Sequence, residues 1–186
     1  MIYDIQDAVP KELIEKIKTQ CGAIADTDKR TFKRTYNRSG DTVDFHNHDV
    51  LKELDTEVSK FVSQYTSEVV APLYKPSFDI GDSGYEYHRY NIGDQCFSHA
   101  DGEIVFKPNN NVSFLRFATM VIHLNTVEEG GITVFPNQNK SFKTIEGQVL
   151  LFPPYNTYPH YVTPSTTPRE ILMTWFVYNG INVIKT

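Results

Sequence analysis

Hydrophobic positions along the chain change their period near Ser77. Before it the spacing is helical. Leu13, Ile14, Ile17 and Cys21 recur three or four residues apart behind Pro10, which suits a first turn, and Gly22 is expected to stop the run. A second helical face starts after Asp49, read as its N-cap. It carries Leu51, Leu54, Val58, Phe61, Val62, Tyr65 and Val69, with Pro72 as the expected break. Between the two lies Asp28–Asn47, polar and bearing Lys29, Arg30, Lys33, Arg34 and Arg38. Composition favours a solvated loop there, with a lid as the alternative.

After Ser77 short β-like runs take over: Tyr85–Asn91, Phe114–Asn125, Thr133–Phe135, Gln148–Phe152, Tyr158–Thr163 and Glu170–Tyr178. Gly130-Gly131, Pro136-Asn137, Pro153-Pro154 and Pro164–Pro168 punctuate them. Many short strands without intervening helices point to a sandwich, barrel or jelly roll. No repeat, low-complexity stretch or linker interrupts the chain. The expected organisation is therefore one domain over 1–186, with residues 1–76 as helical support and lid and 77–186 as a β core.

Composition narrows the function. The chain has 186 residues, 40% hydrophobic and 22% charged, as in an ordinary globular domain. A net charge of −5 gives no global attraction to nucleic acid or an anionic membrane, and neither is expected as a partner. Eleven Tyr and twelve Phe lean towards β structure and aromatic-lined pockets. Two cysteines, Cys21 and Cys96, do not make a disulfide framework. The first residues lack the charged and apolar regions of a signal peptide, and no apolar run reaches the length of a membrane span. A cytoplasmic protein is expected.

Of six histidines, two stand out. His99-Ala100-Asp101 puts an imidazole and a carboxylate on one face of an extended strand. A distant third imidazole would complete a facial triad, a mixed N/O set that suits iron(II) and leaves positions open for reactants. Alone, the pair fits a surface loop as well. Further on, Gly130–Pro136 reads as a tight turn entering a strand and Gly147–Phe152 as a buried strand. Pro159-His160 and Pro168-Arg169 follow, Arg169 opening an apolar strand. A guanidinium there is costly unless paired, and its planar fork matches a carboxylate.

These blocks together resemble the prolyl 4-hydroxylase family of iron(II)/2-oxoglutarate-dependent dioxygenases. From Tyr87 to Tyr178 the features follow the family's order: Tyr90-Asn91-Ile92-Gly93, His99-x-Asp101, Arg116 leading into Leu124-Asn125, and the Gly-Gly-x-Thr-x-Phe-Pro block. The Gly147 strand, His160-x-x-x-Pro164, and Arg169 before Trp175 complete it. The resemblance implies a mainly β fold with N-terminal helices around a double-stranded β-helix, or jelly-roll, core. It implies iron on His99, Asp101 and His160, with no catalytic residue beyond the metal centre. It further implies 2-oxoglutarate on Arg169, O2 as co-reactant, ascorbate as an accessory reductant, and a proline-containing peptide or protein as substrate.

Two departures mark the chain. Many relatives carry lysine where Arg169 stands, although arginine also occurs in the family. Where relatives often place a tyrosine before Leu-Asn, this chain has His123, either a core histidine or a replacement donor to the cosubstrate. Tyr90 is expected to line the same pocket, and Trp175 and Phe176 to be core. His46 and His48 are assigned to the entry of the second helix, His88 to a structural role, and Glu128-Glu129 to a solvated turn. The basic 28–47 segment and the polar insertion Gly102–Ser113 are the candidate substrate lids. The alternatives weighed are a 2-oxoglutarate oxygenase of a non-prolyl or small-molecule substrate, and a jelly-roll binding module without turnover.

Overall fold

A computed structural model describes residues 1–76, 78–106 and 113–179. Residues 107–112, which hold the Pro108-Asn109-Asn110-Asn111 part of the expected lid, lie outside the described residues. The strands in chain order are β1 (Tyr3–Ile5), β2 (Phe32–Arg34), β3 (Ser39–Asp44), β4 (Ile80–Asp82), β5 (Glu86–Tyr90), β6 (Cys96–His99) and β7 (Ile104–Phe106). They continue with β8 (Ser113–His123), β9 (Thr133–Phe135), β10 (Lys140–Phe142), β11 (Val149–Phe152), β12 (His160–Val162) and β13 (Arg169–Tyr178). Two antiparallel sheets face each other. The larger runs β1-β11-β8-β13-β5-β3-β2, with β4 added beside β13 and β7 beside β8; the smaller runs β10-β9-β12-β6. This is the jelly-roll sandwich that the resemblance implies.

Helix α1 (Lys11–Thr27) lays Leu13, Ile14, Ile17, Cys21 and Ala25 on the outer face of the larger sheet, and α2 (Lys52–Tyr65) adds Leu54, Val58 and Val62. Each fully buried aliphatic side chain contributes about 1.5–3 kcal/mol, so these faces fix the helices against the sheet. Gly22 does not end α1. It is buried inside the helix at a close approach to the sheet, where an added Cβ would sit 4.0 Å from the Tyr87 hydroxyl.

Three further expectations are corrected. Asp49 caps nothing: it lies in a 3-10 turn, Asp49–Leu51, and pairs with Lys52 at 3.1 Å. The capping carboxylate is Asp44, which accepts from His46 N and Asn47 Nδ2, both at 3.0 Å. Pro72 does not break the second helix either. A π-turn over Thr66–Val70 carries the chain into α3 (Ala71–Tyr74), where Pro72 occupies the first turn and needs no N–H partner.

The basic 28–47 segment is mainly a β-hairpin, not a solvated loop. Its inner strand, β3, is built from polar cross-strand pairs: Asp41 opposite Arg89 and Thr42 opposite His88. Arg89 donates to buried Asp41 from Nε and Nη2 at 3.1 and 3.0 Å, and to Asp26 on α1 at 2.8 Å. A strand stabilised by such pairs carries little hydrophobic period. Among the described residues, no helix is long and apolar enough to cross a membrane.

Candidate metal and cosubstrate site

His99 ends β6 and His160 opens β12. The antiparallel register sets them directly opposite one another, so residues 61 positions apart bring their ring centroids to 4.5 Å. The Gly130-Gly131 turn leads into β9, which pairs with the other edge of β12. Gly130 has φ +77°, and an added Cβ would come within 1.9 Å of the Pro164 carbonyl, so only glycine fits.

Each imidazole is oriented from behind. His99 Nδ1 lies 2.8 Å from the Phe97 carbonyl and His160 Nδ1 3.2 Å from that of Tyr158. Nδ1 is thus the donor on both rings, and the inward-turned Nε2 is the atom that a proton or a cation can occupy. The two Nε2 atoms approach Asp101 Oδ1 at 3.6 and 3.9 Å. Asp101 Oδ2 is held by the Thr119 hydroxyl at 2.6 Å. One ligand atom from each of His99, Asp101 and His160 lies within 4.8 Å of the others, a spacing that could hold a metal ion. Among the described residues, His46 and His48 join no such cluster.

Protonation follows this crowding. Burial opposes the charged form of His99, but Cys96, the Phe97 carbonyl and the Asp101 carboxylate favour it and push it up to about 9. At His160 burial prevails, reinforced by His99 and Arg169, and its pKa is lowered. A cation bound here would take the place of the proton beside Asp101.

The three groups open into a cavity of about 370 Å³. Its floor comes from alternate residues of β13, namely Arg169, Ile171, Met173 and Trp175, with Tyr90 of β5, Val121 of β8, and Leu150 and Phe152 of β11. Arg169 is 3% exposed and lies opposite Tyr90 in the register, its guanidinium carbon 5.6 Å from the Tyr90 ring centroid. It donates to Thr144 Oγ1 at 3.1 Å and lies 3.4 Å from His123 Nε2. Among the described residues no carboxylate pairs with it, and burial lowers its pKa. A buried guanidinium so placed fits a ligand carboxylate.

His123 does not line the cavity. It is fully buried behind Arg169, its Nδ1 2.5 Å from Gln148 Oε1, and Gln148 in turn donates to Asp4 Oδ1 at 2.7 Å. Burial, then the Arg169 charge, lower its pKa to about 3, so it faces Arg169 as a neutral acceptor. Tyr90 does line the cavity.

Trp175 is corrected from core to cavity wall. Phe176 is core, whereas Trp175 is half-buried with the Arg116 guanidinium 3.8 Å over its ring. Arg116 also donates to the Asp101 carbonyl at 3.2 Å.

Sequence reasoning missed Thr119 and Glu86, and placed Arg38 only as part of the basic 28–47 candidate lid. Thr119 shares a strand face with Val121 and His123 at period two, and that alternation was the available signal. Glu86 and Arg38 line the cavity's outer side and meet at buried His88. Arg38 Nη1 donates to His88 Nδ1 at 2.5 Å, and His88 Nε2 lies 3.0 Å from the Glu86 carboxylate. The structural role expected of His88 is this cross-link.

Comparison with known proteins adds the family. The family model described as the 2OG-Fe(II) oxygenase superfamily matches residues 85–177, half of the chain. A search of curated sequences finds no match. Among solved structures, a viral collagen prolyl hydroxylase from Paramecium Bursaria Chlorella virus-1, in its 2OG complex, has a TM-score of 0.64 at 18% identity, covering 95% of this chain and 96% of that one. A Pseudomonas putida prolyl-4-hydroxylase has a TM-score of 0.64 at 16% identity, covering 96% and 93%. A Trichoplax adhaerens prolyl hydroxylase, in complex with a hypoxia inducible factor peptide, has a TM-score of 0.69 at 18% identity, covering 95% and 83%. At these identities the likeness is one of fold. The family match, on a jelly roll whose cavity gathers two imidazoles, a carboxylate and a buried guanidinium, leads to one conclusion: the chain belongs to the 2OG-Fe(II) oxygenase superfamily, dioxygenases that use Fe(II), 2-oxoglutarate and O2.

Proposed function

We propose that the protein hydroxylates a prolyl residue in a peptide or protein, with His99, Asp101 and His160 as iron ligands and Arg169 as the anchor of 2-oxoglutarate. The observation that carries the reading is the pairing of an inward-turned His-Asp-His set with a buried guanidinium lacking an acidic partner among the described residues, both on one cavity. Bound iron and 2-oxoglutarate would supply the oxidising chemistry, one oxygen atom of O2 entering the substrate C–H bond and the other the succinate formed as CO2 leaves.

The chain's own residues position and exclude. The Phe97 and Tyr158 carbonyls and the Thr119 hydroxyl orient the three ligands before a cation arrives. Arg169 would hold the distal carboxylate of 2-oxoglutarate, with Thr144 and neutral His123 taking its other N–H groups from behind. Tyr90 closes one side of that pocket. Val121, Leu150, Phe152 and Ile171 keep water from the middle of the cavity. Trp175 and Met173 offer an apolar wall towards the open side, suited to a pyrrolidine ring. Likeness of fold to three prolyl hydroxylases supports the prolyl substrate. Ascorbate would serve to keep the iron ferrous between turnovers. Both cysteines are free and buried, in keeping with the reducing cytoplasm.

The test is a panel of proline-containing peptides incubated with iron-loaded protein, 2-oxoglutarate and O2. The expected result is a mass gain of one oxygen on proline matched by one succinate. Oxygen gain confined to another substrate class would remove the prolyl assignment.

A further inference from the structure

We propose that Asp4, exposed on β1, is a positioning residue for the cosubstrate anchor. Through Gln148 it fixes which nitrogen of His123 carries the proton, and so how Arg169 is presented to the cavity. The inference rests on the reading of Arg169 as the holder of 2-oxoglutarate.

Four side chains run in file from the surface to the cavity: Asp4, Gln148, His123 and Arg169. The file follows the sheet order β1-β11-β8-β13, with Gln148 directly preceding β11. Asp4 is exposed, whereas the other three are at most 3% exposed. Gln148 Nε2 donates to Asp4 Oδ1 at 2.7 Å, and Gln148 Oε1 lies 2.5 Å from His123 Nδ1. His123 Nε2 then lies 3.4 Å from Arg169 Nη2. The main chain keeps the middle pair in register, since His123 N donates to the Gln148 carbonyl at 2.9 Å. Gln6 Nε2 also donates to Asp4 Oδ1, at 2.6 Å, and holds the carboxylate in place.

Donors and acceptors along this file allow one polarity. An ionised carboxylate only accepts, so the Gln148 amide turns its NH2 to Asp4 and its oxygen to His123. That oxygen needs a donor, so Nδ1 carries the proton and Nε2 keeps its lone pair. A guanidinium only donates, and the lone pair is what Arg169 Nη2 can meet. The opposite tautomer would set one N–H against another in a buried site, where the clash is costly. Thr144 obeys the same logic. Its hydroxyl donates to the Gly131 carbonyl at 2.6 Å, and so accepts from Arg169 Nε at 3.1 Å. With these two acceptors behind it, Arg169 keeps its remaining N–H groups for a ligand carboxylate. A carboxylate at the surface thus sets a proton position beside the anchor.

Asp4→Asn is nearly isosteric but offers an NH2 as well as an oxygen, so Gln148 can turn over and His123 can change tautomer. Two readouts test this without turnover. Isotope-edited NMR of the histidine ring nitrogens, on protein loaded with diamagnetic Zn(II), reads which nitrogen of His123 is protonated; loss of the signal in His123→Gln assigns it. Anaerobic calorimetry on the Fe(II)-loaded protein reads 2-oxoglutarate binding. The parent is expected to carry the proton on Nδ1. Asp4→Asn should populate the Nε2–H form and weaken 2-oxoglutarate about fivefold, the worth of one neutral hydrogen bond. Asp4→Glu, which keeps an end that only accepts, should retain parental binding, and iron(II) affinity should be the same in all three proteins. A parent protonated at Nε2, an unmoved tautomer or parental affinity in Asp4→Asn, equal weakening in Asp4→Glu, or a parallel loss of iron(II) would each overturn the proposal. Arg169→Ala in the same titration separates it from the reading beneath it. Parental binding there would sink the anchor and this proposal together; lost binding there beside parental binding in Asp4→Asn would sink the proposal alone.

Discussion

The hydroxyl of Thr119 on β8 donates to Asp101 Oδ2 at 2.6 Å and leaves Asp101 Oδ1 as the oxygen that faces both His99 and His160. This contact decides which lone pairs are free for a cation. Thr119→Val keeps the volume and removes the donor. Iron(II) affinity should fall about ten- to hundredfold, as is common when a ligand loses its outer partner. Anaerobic competition against a coloured chelator measures it, and unchanged affinity would count against Asp101 as a ligand.

Arg169 makes a second prediction. Arg169→Ala should weaken 2-oxoglutarate by roughly 2–5 kcal/mol, since a buried charged partner is lost. Arg169→Lys should recover only part of this, because a point charge cannot reproduce the planar fork. Calorimetric titration of the metal-loaded variants reads both. A Lys variant indistinguishable from the parent would mean that a single charge, not bidentate geometry, holds the ligand.

Legibility in the sequence followed hydrophobic contrast. His99, Asp101, His160 and Arg169 were readable because each stands beside an apolar strand, where its chemistry is out of place. Trp175 was misread because period two on β13 does not say which apolar face meets the core and which the cavity. The β2–β3 hairpin was invisible for a different reason. Its inner strand is held by Asp41–Arg89 and Thr42–His88, pairs that exist only after β5 has come alongside. The sequence leaves His123 between a core histidine and a donor to the cosubstrate; its ring is turned between Gln148 and Arg169, a matter of packing that spacing does not encode.

His123 carries a prediction about pH. Its folded pKa, about 3, lies below the ordinary value of 6.5, first through burial and then through Arg169. The stability it provides is therefore complete above about pH 6.5 and is lost as pH falls towards 3, because the unfolded chain takes up the proton first. Urea unfolding should show roughly 2 kcal/mol of this loss between pH 7 and pH 5. His123→Gln, with no titrating ring, should show a shallower slope over the same window. Parallel slopes would place His123 in a less buried setting than the fold gives it.

The indole Nε1–H of Trp175 is buried without a hydrogen-bond partner among the described residues, although the ring stacks under Arg116. Trp175→Phe removes the unsatisfied donor and keeps an aromatic face. Thermal unfolding should change little, since deleting an unpaired buried donor costs almost nothing. Peptide binding should weaken more than 2-oxoglutarate binding, because Trp175 stands three alternate positions along β13 from Arg169. A large loss of thermal stability would return Trp175 to the core.

The central claim is that His99, Asp101 and His160 hold iron while Arg169 holds 2-oxoglutarate against it. The most direct measurement is anaerobic titration of the iron(II)-loaded protein with 2-oxoglutarate, following the weak visible metal-to-ligand charge-transfer band. The account predicts that the band appears and saturates in the parent protein, is absent in His99→Ala, and needs far more 2-oxoglutarate in Arg169→Ala. A folded, iron-loaded parent that shows no band, or a band unaffected by both substitutions, would contradict it.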